Sequence, residues 1–249
     1  MGLAKFVSRD RWEAVDNKYT STKVDIRRRV LEVLTPEAAH VFDAFAGTGI
    51  MYGYVWRHAA RYVGCDERWH RDARSCYVAD NRRVLRCLDL AAFNCFDLDA
   101  YGSPWEQVAI VVARRPPLAV GERLGLVLTD GSWSAYRTGK IPPGLQGLSG
   151  VPTVRSLGRT TAQMSRNAQK QTAKTRVDRF DDLLTRGLLG VARRVNGRLI
   201  REWRAASPTG AYARYLGVVI EGGRTGDEPK AHARAGARLG SEGQNKLRR

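Results

Sequence analysis

Residues 39–50, AHVFDAFAGTGI, join a short apolar segment to an acid and then to two closely spaced glycines. Gly47 and Gly49 fall where a strand is expected to become a helix, and glycine there lets the backbone approach a ligand closely. A dinucleotide-binding loop of the GxGxxG type would need glycine at position 52, where this chain has Tyr52. The stretch therefore predicts a strand–turn–helix ligand site that fits NAD poorly.

Apolar segments alternate with helical runs on both sides of this stretch. Further strands are predicted at 61–67, 83–90, 91–98 and 122–131, helices at 23–34, 50–58, 68–81 and 105–115, and a closing hairpin at 197–223. Such alternation favours a parallel sheet with helices on both faces. The predicted fold is α/β and Rossmann-like, with a seven-stranded, mostly parallel sheet.

Acidic residues follow several of the predicted strands. They are Asp43, Asp66, Asp99 and Asp130. The carboxyl ends of parallel strands meet at one edge of a sheet, and open α/β sheets bind their ligands at that edge. These four positions therefore predict a site there, although any one of them could instead cap a helix.

The chain is strongly basic, with a formal net charge of +17 over 249 residues. Most of this charge comes from arginine, whose planar fork of donors suits phosphate. A nucleic-acid partner is therefore predicted, and a coding bias toward arginine is the alternative explanation.

The four cysteines, Cys65, Cys76, Cys87 and Cys95, contain no CxxC pair. Zinc sites usually need closely spaced ligand pairs, so no metal is expected. The amino terminus shows no signal peptide, and no apolar run reaches membrane-spanning length. The sequence predicts a cytoplasmic protein with reduced thiols and no membrane partner; the oligomeric state stays open.

The sequence also suggests how the chain is divided. Residues 1–22 are expected to close over a ligand, residues 23–221 to form the main domain, and residues 222–249 to be a disordered basic tail. Within the domain, 134–177 is read as a basic insertion after the fifth strand. Its cations at helical spacing predict a ridge for phosphates, with a solvated face as the alternative: Arg159, Arg166, Lys170 and Lys174.

The pattern D-x-F-x-G-x-G at 43–49 resembles motif I of the class I S-adenosylmethionine-dependent methyltransferases. The resemblance implies S-adenosylmethionine as cofactor, held over a turn that includes Asp43, Phe45, Gly47 and Gly49. It also implies that an acid ending the second strand binds the ribose hydroxyls. Asp66 is the first choice for that acid, and its neighbour Glu67 is the second.

Two further cofactor contacts follow from the same resemblance. Asp89, expected near the end of the third strand, corresponds to the residue that contacts the adenine amino group. The segment NKYTSTKVD at 17–25 resembles motif X, which closes over the methionine end of the cofactor. Thr22 is a candidate contact there, and a simple helix cap is the alternative.

The stretch DLDAYGSP at 97–104 resembles motif IV of the tRNA guanine-N2 dimethyltransferases, a D-P-F-G-S-P pattern. The family's proline is Ala100 here. The resemblance implies that the Asp99 carboxylate and the Ala100 carbonyl accept the two N–H groups of a base amine, while Tyr101 stacks on the base. Asp97 is expected to point to the opposite side from Asp99 and to be structural.

Three functions remain open from the sequence. The first is methylation of an exocyclic nitrogen in RNA, with guanine N2 in tRNA as the expected target. The second is methylation of adenine N6 or cytosine N4 in DNA. The third is a non-catalytic nucleic-acid-binding protein on a degenerate methyltransferase fold, which the alanine at position 100 would permit.

Overall fold

The computed structural model describes residues 20–151, 166–206 and 213–223, and of residues 166–176 it describes the backbone. Arg159 and most of the predicted tail lie outside these ranges. The strands are β1 (His40–Asp43), β2 (Arg61–Asp66), β3 (Cys76–Val78), β4 (Cys95–Leu98), β5 (Arg123–Asp130), β6 (Gly197–Ala206) and β7 (Arg214–Gly222). The helices are α1 (Thr20–Leu34), α2 (Ile50–Tyr54), α3 (Asn81–Cys87), α4 (Trp105–Arg114), α5 (Trp133–Arg137), α6 (Pro143–Ser149) and α7 (Arg166–Arg194).

All seven strands form one sheet in the order β3-β2-β1-β4-β5-β7-β6. Strands β1 to β5 are parallel, and β7 runs antiparallel to both β5 and β6. The predicted seven-stranded, mostly parallel Rossmann-like sheet with its closing hairpin is therefore confirmed. The basic insertion after the fifth strand stays a prediction, because residues 152–165 lie outside the described ranges.

Helix α1 covers one face of the sheet because its apolar side chains recur at helical spacing. Val30 and Leu34 lie so close to Gly125 on β5 that a Cβ there would be 2.8 and 2.7 Å from their methyl carbons. Ile26 packs in the same way over Gly217 on β7. The opposite face is covered by α3, α4, α6 and α7, which share the larger apolar core.

The prediction of the third strand at 83–90 is wrong. Residues 83–90 form most of α3, whose apolar Val84 and Leu85 are buried, and Asp80 caps this helix by accepting from the backbone N–H of Arg82 at 2.8 Å. The actual strand, Cys76–Val78, lies inside the predicted 68–81 helix and has exposed residues throughout. An edge strand of three residues carries no apolar alternation, so nothing in its pattern marks it.

The contact between α6 and α7 depends on a missing side chain. A Cβ on Gly190 would overlap the carbonyl of Leu148, whereas a Cβ on Gly147 meets nothing within 4 Å. We expect Gly190→Ala to lower the free energy of unfolding by about 1–3 kcal/mol through overpacking. Gly147→Ala should raise it by about 0.5–1 kcal/mol, because alanine is the better helix former. Urea denaturation of both variants tests this prediction, and equal changes in their free energies of unfolding would contradict it.

Candidate active site

The turn after β1, called the glycine turn because it contains Gly47 and Gly49, has the backbone that these two residues predict. Gly47 and Gly49 adopt left-handed φ angles of 44° and 87°, which other residues rarely take. The turn is fastened by bonds from the N–H of Ala46 to the carbonyl of Cys65 (3.0 Å) and from the N–H of Gly49 to the carbonyl of Ala46 (3.0 Å). It therefore stands at the carboxyl edge of the sheet, beside the end of β2.

Asp43 supports this turn from below rather than facing solvent. Its carboxyl is buried and accepts the Phe45 N–H at 3.1 Å and the Tyr62 hydroxyl at 3.0 Å. Burial, followed by the nearby Asp97 carboxylate, raises the pKa of Asp43 to about 8. The structure thus places Asp43 at the predicted site but within the protein interior, where it shapes the turn, and Phe45 is half-buried beside it.

Asp66 lies at the end of β2, where the ribose-binding acid was predicted. One carboxylate oxygen accepts the Gly47 N–H at 2.9 Å, and the other accepts the Arg68 N–H at 2.8 Å. The carboxylate keeps about a quarter of its surface exposed, with the His70 ring 3.5 Å away. Glu67 is exposed next to it. Asp66 is therefore the better placed of the two acids, because it touches the glycine turn.

Asp89 does not lie at the end of the third strand. It caps a 3-10 turn at Leu90–Ala92, between the end of α3 and the start of β4, and accepts the Ala91 N–H at 3.0 Å. The polar residues that do follow β3 are Asp80 and Asn81. The Asn81 amide donates to the Ala44 carbonyl at 2.9 Å, so this residue braces the glycine turn. The expectation that Asp89 lies near the end of the third strand is wrong, because the sequence pattern placed that strand at 83–90.

Thr22 does not cap the first helix, since α1 begins no later than Thr20 and Thr22 lies within it.

Asp130, the last of the four strand-end acids, is fully buried. It accepts the Trp105 indole N–H and the Ser132 backbone N–H, both at 2.7 Å. Its role is to join β5 to the helices beside it. The site therefore involves β1, β2 and β4.

A buried ionic cluster joins α1 to the end of β4. Arg27 donates to both oxygens of Asp97, at 2.6 and 2.7 Å, and to Asp99 at 3.0 Å. Trp56 donates its indole N–H to Asp97 at 2.7 Å. Lys23, one helical turn before Arg27, contacts both oxygens of Asp99 at 2.9 and 3.0 Å. Two cations thus balance two carboxylates in the interior.

This cluster corrects the expectation that Asp97 and Asp99 point to opposite sides. Residues two apart in a strand share a face, and both carboxylates here meet the same guanidinium of Arg27. Sequence analysis also missed Lys23 and Arg27. Their signal was available: Arg27 lies one helical turn before Val30 and Leu31 on the apolar side of α1, where a cation requires a buried partner.

The predicted motif IV residues lie together at the end of β4. Burial acts against the charge of Asp99, but Arg27 and Lys23 lower its pKa below the ordinary value. Ala100 is buried, and Tyr101 is 99% exposed. Asp99 is therefore a charged acceptor at neutral pH beside an exposed aromatic ring, and its oxygens accept from Lys23 and Arg27.

The basic ridge predicted for phosphates is only partly within the described chain. Arg166, Lys170 and Lys174 lie on the amino-terminal part of α7, where only the backbone is described, and Arg159 lies outside the described residues.

An exposed aromatic side chain with an adjacent arginine lies in the loop after β2. Trp69, in the loop after β2, is 69% exposed, and the Arg71 guanidinium lies 5.4 Å from its ring centroid.

The chain is similar to several solved structures at low sequence identity. No protein-family model matches the chain, and no curated protein matches it. One of these solved structures is Trm1 from Pyrococcus horikoshii with S-adenosyl-L-methionine, which is 15% identical in sequence and superposes with a TM-score of 0.45. The match covers 81% of this chain and 56% of that chain. Another is N-methyltransferase NodS from Bradyrhizobium japonicum WM9 with S-adenosyl-L-homocysteine, which is 11% identical and superposes with a TM-score of 0.45. This match covers 87% of this chain and 93% of that chain.

The Trm1 match spans just over half the length of that relative. The strand order β3-β2-β1-β4-β5-β7-β6, with β7 antiparallel, decides the architecture. The chain has the strand order of the class I methyltransferase fold. Within the described ranges, every helix is too short or too polar to cross a bilayer. The same ranges hold no group of three His, Cys, Asp or Glu residues arranged for a metal ion.

The raised pKa of Asp43 predicts an unusual pH dependence. An acid whose pKa is about 8 when folded and about 4 when unfolded stabilises the fold fully below pH 4, and this contribution is lost as the pH rises to 8. We expect wild-type stability to fall relative to Asp43→Asn over this range, by at most about 1.4 kcal/mol per pH unit. Urea denaturation at several pH values measures it, with the exposed Asp25→Asn as control. Parallel wild-type and Asp43→Asn curves would contradict the prediction.

Proposed function

We propose that this protein transfers a methyl group from S-adenosylmethionine to an exocyclic amino nitrogen of a nucleobase, with guanine N2 in tRNA as the favoured target. One observation carries the proposal. The charged Asp99 and the fully exposed Tyr101 adjoin each other at the end of β4, on the sheet edge that also holds the glycine turn.

The residues of the turn fit the nucleoside part of this cofactor. Asp66 offers a partly exposed carboxylate for ribose hydroxyls, and a Cβ on Gly47 would meet no atom nearer than the Phe45 carbonyl at 3.8 Å, so a ligand can approach the backbone there. Asp80 and Asn81, at the end of β3, are candidates for the adenine side. When bound, the cofactor supplies an electrophilic methyl group on a sulfonium ion.

The chain's own contribution is to bind and orient the target amine. Such nitrogens are weak nucleophiles because their lone pair is delocalised into the ring. Asp99 and the Ala100 carbonyl would accept the two N–H groups, and Tyr101 would stack on the base and hold it in line. Lys23 occupies the Asp99 oxygens, so an incoming amine would have to replace its ammonium group there.

The proposal of a nucleic-acid substrate rests on charge and exposed rings. The net charge of +17 favours a polyanion, and Arg166, Lys170 and Lys174 begin the long helix α7. Trp69 adds an exposed ring with an arginine against it, a pairing suited to unstacked bases. RNA is favoured over DNA by the resemblance of 97–104 to motif IV of the tRNA guanine-N2 enzymes.

The proposal is tested by methyl transfer from radiolabelled S-adenosylmethionine to separate pools of unmodified tRNA and genomic DNA. Nucleoside mass spectrometry then identifies the product. Methylguanosine from the RNA pool is the expected result. A methylated deoxynucleoside would keep the reaction and replace the substrate with DNA.

A second candidate is a nucleic-acid-binding protein without transferase activity. Two observations favour it: Lys23 already occupies Asp99, and the Arg74 guanidinium covers Gly49. This candidate predicts no label in either pool and no calorimetric signal with S-adenosylhomocysteine. It also predicts that Asp66→Ala leaves nucleic-acid affinity unchanged.

A further inference from the structure

Arg74, from the loop between β2 and β3, is bound directly to the glycine turn. Its guanidinium donates to the carbonyl of Ala46 at 2.9 Å and to that of Gly47 at 2.7 Å. The same group forms a two-bond ion pair with Asp72, at 2.9 and 2.6 Å. Only 3% of the Arg74 side chain is exposed. A surface loop has thus placed a buried cation against the turn where a ligand is expected.

The contact fills the space that glycine at position 49 leaves open. A Cβ built on Gly49 would lie 2.9 Å from Arg74 Cζ, 3.0 Å from Nε and 3.1 Å from Nη1. A glycine in such a turn lets another group approach the backbone closely. At Gly49 that group is the chain's own guanidinium. A ligand that approaches Gly49 and the Arg74 side chain therefore cannot be present together in this arrangement.

The loop that carries Arg74 is built to move more easily than the sheet. Residues 67–73 are exposed except for half-buried His70, and they form neither helix nor strand. Such segments open at low free-energy cost compared with core elements. Arg74 is held by Asp72, whose side chain is about a third exposed, so the pair can leave the turn together as one neutral unit.

We infer that Arg74 is a gating residue that competes with the nucleoside cofactor for the glycine turn, so that binding requires the Asp72–Arg74 pair to swing away. This inference rests on the proposed function, because it assumes that the turn takes S-adenosylmethionine. A binding-competent form that is only a minor fraction of the molecules weakens the apparent affinity by that fraction. Removing the guanidinium should therefore tighten binding.

The experiment is calorimetric titration of the full chain with S-adenosylhomocysteine, which requires no turnover. Arg74→Ala is expected to bind about tenfold or more tightly than wild type. Asp72→Ala loosens the same contact without touching the turn and should shift affinity in the same direction by a smaller factor. It also keeps the test decisive if Arg74→Ala does not fold. Arg198→Ala, at an exposed ion pair on β6, is the control and should change nothing.

The outcomes separate this inference from the proposed function. If wild type binds and both variants bind equally or more weakly, Arg74 is a ligand of the cofactor or a brace of the turn, and gating is wrong. If no form binds, the proposed function fails and the inference fails with it. Binding by Arg74→Ala that wild type lacks would support the gate in its strongest form.

Discussion

Arg27→Met is expected to lower the free energy of unfolding by about 3–5 kcal/mol, the largest stability effect that we predict. Arg27 is fully buried and donates to Asp97, which has no exposed surface of its own. Removing the guanidinium leaves the Asp97 carboxylate with Trp56 as its donor and no countercharge. Desolvation of an unpaired carboxylate is unfavourable, and the native state carries that penalty.

Urea denaturation of three variants separates the pair from the lost packing. Arg29→Met breaks an exposed pair with Asp25 on the same helix and should change stability by less than about 0.5 kcal/mol. The double variant Arg27→Met, Asp97→Leu removes both charges and should recover most of the loss. A double variant that is as unstable as Arg27→Met alone would show that packing, not the unpaired charge, causes the effect.

The sequence predicted those parts of the fold that have strong local patterns. Strands β1, β4 and β5 are buried apolar runs, and β6 and β7 are long enough to be recognised as strands from their sequence pattern. The misplaced third strand is the reverse case. Its three exposed residues have no apolar pattern, while Val84 and Leu85 of α3 look like a strand when they are read without their capping Asp80.

The site was predictable where one short segment holds it and unpredictable where distant segments meet. The glycine turn and residues 99–101 each lie within a few positions, so their motifs are visible. Lys23 and Arg27 reach Asp99 from 76 and 72 residues away, and Arg74 reaches Gly47 from 27 residues away. Such contacts come from the packing of α1 and of the β2–β3 loop, and a single sequence gives no register between those segments and the sheet.

Asp99→Asn is expected to lower the rate of methyl transfer by about 10²–10³-fold while leaving the affinity for S-adenosylhomocysteine within a few-fold of wild type. The amide keeps the size of the carboxylate but removes its charge and replaces one acceptor oxygen by a donor. Lys23 and Arg27 keep the pKa of Asp99 low, so wild type presents a full negative charge at neutral pH, and the variant cannot.

Asp89→Asn is the matched control for this rate measurement, because Asp89 is an exposed carboxylate that lies away from the glycine turn and residues 99–101. It should transfer methyl groups at the wild-type rate. Comparable loss of rate and of cofactor affinity in Asp99→Asn would make this residue part of the cofactor site or of the fold. Unchanged transfer would mean that another group accepts the amine protons. Because Lys23 and Arg27 already balance Asp99, activity of the charge-free variant would also point to a reaction in which the ionic cluster serves stability alone.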